Sequence, residues 1–281
     1  MLLCGLIGRS ITASRSPLLH EEEARAQGLP LRYELFDFTA RGLSDEALPS
    51  LLAELRERGF AGVNVTYPFK QAVIPLLDDL DESAELVGAV NTIAMRDGRL
   101  TGYNTDMRGF RDSVAANLPG VPMHAILQLG AGGAGSAVAS ALLSLGAERL
   151  EILDVDTARA QALAAGLAER FGAQRVAART AVDDSTTGVD GIVNATPIGM
   201  AAHPGTPLPP DRIAPRHWVA DIVYFPLETE LLRIAREAGC RTLDGSGMVI
   251  RQAALAFDIF TGRTADRERM RRSFFAAGQD A

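Results

Sequence analysis

The chain has 281 residues, 47% of them hydrophobic and 22% charged, with 27 Gly and 14 Pro. That is too much apolar material for a disordered chain and too long a chain for one small core, so about two globular domains are expected. Asp and Glu number 35 against 28 Lys and Arg, a formal net charge of -7, which repels phosphate backbones and anionic lipid and leaves nucleic acid and membrane as poor partners.

Two cysteines, Cys4 and Cys240, stand far apart and outside any CxxC or Cys/His spacing. Neither a disulfide framework nor a metal site is expected. The apolar opening Met1 to Gly8 lacks a basic leader, and no run approaches the ~18 apolar residues of a membrane span. It reads as a buried first strand of a soluble, cytoplasmic protein.

Strand-like and helix-like segments alternate, which predicts a parallel α/β architecture. Leu2 to Ile7 reads as a strand, Leu18 to Gln27 as a helix ending at Gly28, Arg32 to Phe38 as a strand and Leu48 to Arg58 as a helix stopped by Gly59. Gly62 to Val65 is a short strand, Asp81 to Leu86 starts a helix, and Ala89 to Met95 with Arg99 to Gly102 form a hairpin across Asp97-Gly98. From His124 the character changes. A strand to Leu129 meets a small-residue helix, Ser136 to Leu145, and then the strand Leu150 to Leu153. Gly191 to Asn194 and Trp218 to Val223 are further strands, followed by the helix Thr229 to Ala238; Ala201 to Pro210, with four prolines, is a loop. A last helix, Met248 to Phe260, carries apolar residues near helical period. It is expected to pack on the first domain, giving residues 1–106 completed by 247–281 and a second domain of residues 107–246.

The strand ending at Leu129 runs into Gly130-Ala131-Gly132-Gly133-Ala134-Gly135 and then a helix, the context a dinucleotide fingerprint requires. Gly130 permits the tight turn, Gly132 lets the backbone approach a pyrophosphate, and Gly133 and Gly135 keep the helix close to its strand with its N–H groups aimed at the anion. A structural glycine-rich turn is the competing reading. Against it, Asp154 arrives 19 positions after Gly135, at the end of the next strand. A carboxylate there accepts hydrogen bonds from the adenosine ribose and repels a 2′-phosphate, so NAD is expected and NADP is the lesser reading. Arg159 either helps hold NADP or pairs with an aspartate.

Four clusters in the first half supply hydroxyls, amides, one lysine and one aspartate, an inventory suited to a polyhydroxylated ring. They are Ser14-Arg-Ser16-Pro17, Val65 to Lys70, Ala89-Val90-Asn91-Thr92 and Thr101 to Asp106. Each has a plainer reading: Ser14 and Ser16 as helix caps before Pro17, Asn104 to Asp106 as the cap of the next helix, Lys70 as a solvated lysine. His20 reads as a packed helix residue, and the arginines between Arg267 and Arg272 as a solvated helix face.

SxSP, NVTxPxK, GAVNT, GxNTD, GAGGAG, NATPIGM and DGxGMxxxQA stand here in the order in which they occur in the shikimate dehydrogenase family. The chain resembles that family over nearly its whole length, and within it most resembles the NAD-dependent quinate/shikimate dehydrogenases. The resemblance implies an α/β substrate domain, a Rossmann domain and a cleft between them. It implies that Ser14 and Ser16 bind the substrate carboxylate, that Thr66, Asn91 and Gln252 contact ring hydroxyls, and that Tyr224 borders the pocket. Lys70 and Asp106 would be the catalytic pair, while Asn194, Thr196, Val223 and Gly247 would line the cofactor side. Lys70 would take the alcohol proton during oxidation and return it during reduction.

The implied reaction is reversible hydride transfer between NAD and the C3 hydroxyl of shikimate or quinate, running towards oxidation in an oxidised NAD pool. An NADP-dependent biosynthetic shikimate dehydrogenase, an aminoshikimate dehydrogenase and a non-catalytic metabolite sensor are the alternatives, and a homodimer is left open.

Overall fold

The computed structural model describes residues 1–180 and 186–276. The expected domain ranges also include residues 181–185 and 277–281, which lie outside the described residues. The chain divides into two compact units, Met1–Thr105 with Ile250–Ala281, and Asp106–Val249.

The first unit opens with β1 (Leu2–Gly8), α1 (Ser16–Ala26), β2 (Leu31–Asp37), α2 (Leu48–Glu57) and β3 (Gly62–Val65). The short α3 (Phe69–Ala72), β4 (Asp79–Leu80), α4 (Glu82–Val87), β5 (Thr92–Arg96) and β6 (Arg99–Tyr103) follow. Its sheet has the order β2-β1-β3-β5-β6-β4. The β1 strand runs parallel to β2 and β3, and β5 runs antiparallel to β3 and β6. The hairpin turns on Asp97 and Gly98, both with positive φ (51° and 73°), as a tight two-residue turn demands. Pro17 opens α1, where its missing N–H costs nothing. Ile7, Phe36, Phe38, Leu52, Val63 and Phe69 are at most 2% exposed and form the core. Each such side chain contributes about 1.5–3 kcal/mol by leaving water.

The helix α5 (Thr105–Asn117) leads into β7 (Ala125–Leu129), α6 (Gly133–Ser144), β8 (Arg149–Leu153), α7 (Thr157–Phe171) and β9 (Val176–Arg179). Then come β10 (Gly191–Asn194), β11 (Trp218–Asp221), α8 (Glu230–Glu237) and β12 (Arg241–Leu243). The order is β12-β11-β10-β7-β8-β9 and every pairing is parallel. This is the doubly wound dinucleotide-binding order, which reverses direction between β7 and β10. In such sheets ligands bind beyond the carboxyl ends of the strands at that reversal, here the ends at Leu129 and Asn194.

The chain closes with α9 (Ser246–Thr261) and α10 (Arg267–Ala276). Within the first unit α10 packs on α1, its Met270 and Phe274 fully buried. The arginines of α10 are not all solvated. Arg269 pairs with Glu23 of α1, whose side chain is fully buried, at 2.6 Å. Burial raises the Glu23 carboxyl, but bonds from Arg269, Gln27 and the Asp266 N–H outweigh it and hold the group below its ordinary value. Among the described residues no helix is long and apolar enough to cross a membrane.

Candidate active site

In the first unit a hydrogen-bonded chain of polar side chains links most of the expected substrate residues. Ser14 Oγ donates to Ser16 Oγ and accepts the Ser16 N–H, both at 3.2 Å. Ser16 in turn bonds the buried Tyr33 hydroxyl, which donates to Asn64 Oδ1 at 2.7 Å. Asn64 Nδ2 donates to Thr92 Oγ1 at 2.9 Å and to the Asn91 carbonyl at 3.2 Å. Thr92 Oγ1 donates to Asn91 Oδ1 at 3.0 Å, and Asn91 Nδ2 donates to Thr105 Oγ1 at 2.9 Å. Thr105 Oγ1 then reaches Gln252 Oε1 of α9 at 3.5 Å. Buried hydroxyls and amides held this way keep a fixed arrangement, since breaking one bond strands its partner away from water.

Sequence reasoning did not single out Tyr33 or Asn64. Asn64 opens the NVTxPxK motif, which was its one signal, whereas Tyr33 had none beyond being an aromatic on a strand. The ring of His20 stacks on Tyr33 at a centroid distance of 4.7 Å. Burial pushes the His20 pKa down to about 3, so the ring is a neutral packing plate rather than a base.

The loop carrying Ser14 is anchored by Asp37 at the end of β2. Its carboxylate accepts N–H bonds from Ser10, Ile11, Thr39 and Ala40, at 2.7 to 3.2 Å. Burial opposes ionisation, but those four donors outweigh it and hold the carboxyl below the usual range. Arg15, between the two serines, turns to the C-terminal helix. Its Nη1 donates to the Phe274 carbonyl at 2.9 Å, and the guanidinium lies 5.1 Å from the Phe274 ring centroid.

Thr66 follows β3 and is half-buried, and Lys70, also half-buried, lies on α3. The Lys70 carbonyl accepts the Val90 N–H at 2.8 Å, which ties α3 to the segment carrying Asn91. Asp106 is the second residue of α5 and is 7% exposed. It falls in the second unit, whereas the domain reading put it at the end of the first. The preceding residue, Thr105, gives its N–H to Asn91 Oδ1 at 2.8 Å.

In the second unit the glycine loop joins β7 to α6. Gly130 has φ +98°, and a Cβ there would lie 2.7 Å from the Ala195 carbonyl oxygen. A Cβ on Gly135 would lie 2.5 Å from the Gly130 carbonyl oxygen. Gly132 differs: a Cβ there would meet no atom within 4 Å, so its absence leaves backbone open to an approaching anion at the N-terminus of α6. The loop thus leaves room for a pyrophosphate at Gly132, with Gly133 and Ala134 opening α6. Gln128, buried on β7 and missed in the sequence, braces it by donating to the Gly130 and Gly135 carbonyls at 2.8 and 2.9 Å.

Asp154, after β8, accepts the Ala131 N–H at 2.7 Å and the Asp156 N–H at 2.9 Å. Asp156 caps α7 through the Arg159 N–H, and the Arg159 guanidinium pairs with it at 3.5 Å. Pairing with an aspartate, one of the two roles open to Arg159, is thus present.

At the end of β10, Asn194 Oδ1 accepts from the N–H and hydroxyl of Thr196 at 3.0 and 2.7 Å. Its Nδ2 donates to the Ile198 carbonyl and to Asp221 Oδ1, both at 2.9 Å. Val223 is buried, Tyr224 is 39% exposed, and Gly247 lies in the first turn of α9.

Family models for the shikimate dehydrogenase substrate binding domain and the shikimate 5'-dehydrogenase C-terminal domain match residues 6–93 and 245–273. A shikimate dehydrogenase (NADP(+)) of Streptomyces avermitilis is 52% identical over 95% of this chain and 93% of its own length. A quinate/shikimate dehydrogenase (NAD(+)) of Corynebacterium efficiens is 47% identical over 98% of both chains. Among solved structures, quinate dehydrogenase from Corynebacterium glutamicum in complex with NAD aligns with TM-score 0.92 and 44% identity, covering 98% of this chain and 99% of that one. With two α/β units, one a doubly wound parallel sheet, and with relatives of this closeness along its whole length, the chain belongs to the shikimate dehydrogenase family of nicotinamide-dependent oxidoreductases.

Proposed function

We propose that the chain is an NAD-dependent dehydrogenase of shikimate and quinate, oxidising the C3 hydroxyl to give 3-dehydroshikimate or 3-dehydroquinate. A bound nicotinamide supplies the two-electron acceptor; the chain's residues bind, orient and move the proton. Ser14 and Ser16 present hydroxyls to the substrate carboxylate, and Thr66, Asn91 and Gln252 present hydroxyl and amide groups to the ring. The buried polar chain through Tyr33, Asn64 and Thr105 supports this reading, because it restrains four of those five side chains in one arrangement. Lys70 accepts the alcohol proton during oxidation and donates it during reduction, and Asp106 binds the reacting hydroxyl. Tyr224 borders the substrate. On the cofactor side the glycine loop takes the pyrophosphate, while Asn194, Thr196, Val223 and Gly247 line the nicotinamide half.

The choice of NAD rests on one observation. The turn after β8 presents Asp154 and Asp156, and Arg159, the cation the sequence offered for a 2′-phosphate, stands 3.5 Å from Asp156. A dianionic phosphate brought there meets two carboxylates, whereas a ribose diol meets acceptors. The competing reading, an NADP-dependent biosynthetic enzyme, is favoured by the name of the Streptomyces avermitilis relative.

The test is the absorbance of reduced nicotinamide with shikimate or quinate, each paired with NAD or NADP. Turnover with NAD on both acids is expected. Turnover confined to NADP and shikimate overturns the cofactor assignment, and no turnover in any pairing overturns the substrate assignment.

A further inference from the structure

We propose that Asp221 is a positioning residue for the dinucleotide, locking together the two backbone segments that follow β10 and β11. It rests on the reading that Asn194 to Thr196 and Val223 line the cofactor. Asp221 and Asn194 are register partners at the carboxyl ends of these strands, beside the reversal where ligands of doubly wound sheets bind. Asp221 is 1% exposed. Its Oδ1 accepts Asn194 Nδ2 at 2.9 Å and the Val223 N–H at 3.0 Å, and its Oδ2 accepts the Thr229 hydroxyl at 2.7 Å. Thr229 caps α8 by accepting the Leu232 N–H. One carboxylate therefore pins both ends of the loop from Val223 to Thr229, which carries Tyr224, and also grips the amide that shapes the turn from Asn194 to Ile198.

Stability alone does not account for this group. Every partner given to Asp221 is a neutral donor, and no cationic side chain among the described residues pairs with it. A carboxylate buried without a cation loses its hydration, and here only three neutral donors offset that loss. A hydrophobic residue would fill the volume but could not bind three donors from two segments at once. Both polar ends of Asn194 are consumed within the protein, so in this account Asn194 shapes the turn and the backbone it holds faces the dinucleotide.

The experiment is a fluorescence titration of NADH, without substrate, into wild type, Asp221→Ala and Asp221→Asn. The Ala variant leaves three donors without their acceptor and is expected to bind NADH at least ~10-fold more weakly. The Asn variant keeps an acceptor for Val223 and Asn194 and can donate to Thr229, so its Kd is expected within ~3-fold of wild type. An unchanged Kd in Asp221→Ala, or Asn binding as poorly as Ala, overturns the inference. Should Asp221→Ala not fold, Thr229→Val against Thr229→Ser decides: weaker binding in Val alone supports the role, and equal affinities overturn it. Wild type that titrates with neither NADH nor NADPH overturns the cofactor reading itself, which keeps the two failures distinct.

Discussion

Lys70 is the group on which the proposed chemistry depends most directly. The bond from Val90 to its carbonyl ties α3 to the segment carrying Asn91 through backbone, and truncating the side chain leaves that bond in place. Lys70→Ala is expected to lower kcat by about 10²–10⁴-fold, the usual worth of a positioned acid–base group. Its NADH Kd should stay within 2-fold of wild type, and steady-state rates beside a binding titration check both. Asp221 makes a second residue-level prediction. Burial raises its carboxyl to about 6 from 3.8, against the opposing bonds from Val223, Thr229 and Asn194. The native state thus holds a proton that the unfolded chain releases between those values, and this group's contribution to stability falls as pH rises from about 4 to 6. Asp221→Asn does not titrate. Its stability relative to wild type is expected to drop by about 2–3 kcal/mol between pH 7 and pH 4, readable from urea midpoints at the two values. A constant difference would mean that the carboxyl ionises normally.

At the scale of elements, α10 is held to α1 by one buried carboxylate and to the serine loop by Arg15. Arg269→Ala leaves the Glu23 carboxylate buried without its cation and is expected to destabilise the fold by about 3 kcal/mol. Urea unfolding measures it, and Glu23→Gln combined with Arg269→Ala should recover part of the loss because no uncompensated charge remains. This contact was not legible in the sequence. An arginine run broken by one glutamate looks like a solvated face, and nothing local reveals that a carboxylate 246 residues earlier is buried against it. Other elements were plain. Gly62–Val65 and Gly191–Asn194 fall where the apolar runs and their flanking breakers put them. The helix α7 escaped because its buried stripe is Ala160, Ala164 and Leu167, and alanine gives little contrast between a packed and an exposed face. The β9 strand, Val176–Arg179, escaped for a like reason: only Val176 is buried and the next two residues are alanines, so it shows no apolar run.

For the molecule as a whole, strand order separates what sequence motifs reveal from what they do not. The glycine loop and Asp154 were readable because the turn chemistry and the acidic residue are written locally. The reversal between β7 and β10, which brings Asn194 beside that loop's strand, is a property of the whole sheet. So is the linkage of Ser16 to Gln252, which passes through residues from six separate segments. The net charge of -7 adds a long-range consequence. An anionic acid approaches against the mean field, and salt screens that repulsion over roughly 10 Å at 0.1 M. Raising ionic strength from 10 to 150 mM is therefore expected to lower the KM for shikimate about 2-fold; a KM that rises steeply with salt would point instead to capture by a local cationic field.

The turn after β8 has an implication for redesign. Asp154 is a latch: one of its oxygens holds the Ala131 N–H inside the glycine loop, so replacing it to test the proposed cofactor choice also disturbs loop order. Asp156 carries no such obligation to the loop. Serine at 156 would keep the helix cap, since serine serves there as well as aspartate, while deleting a negative charge and releasing Arg159 towards an incoming phosphate. On the proposed NAD reading, the economical route to the other dinucleotide therefore begins at the exposed aspartate two positions after the one the fingerprint advertises.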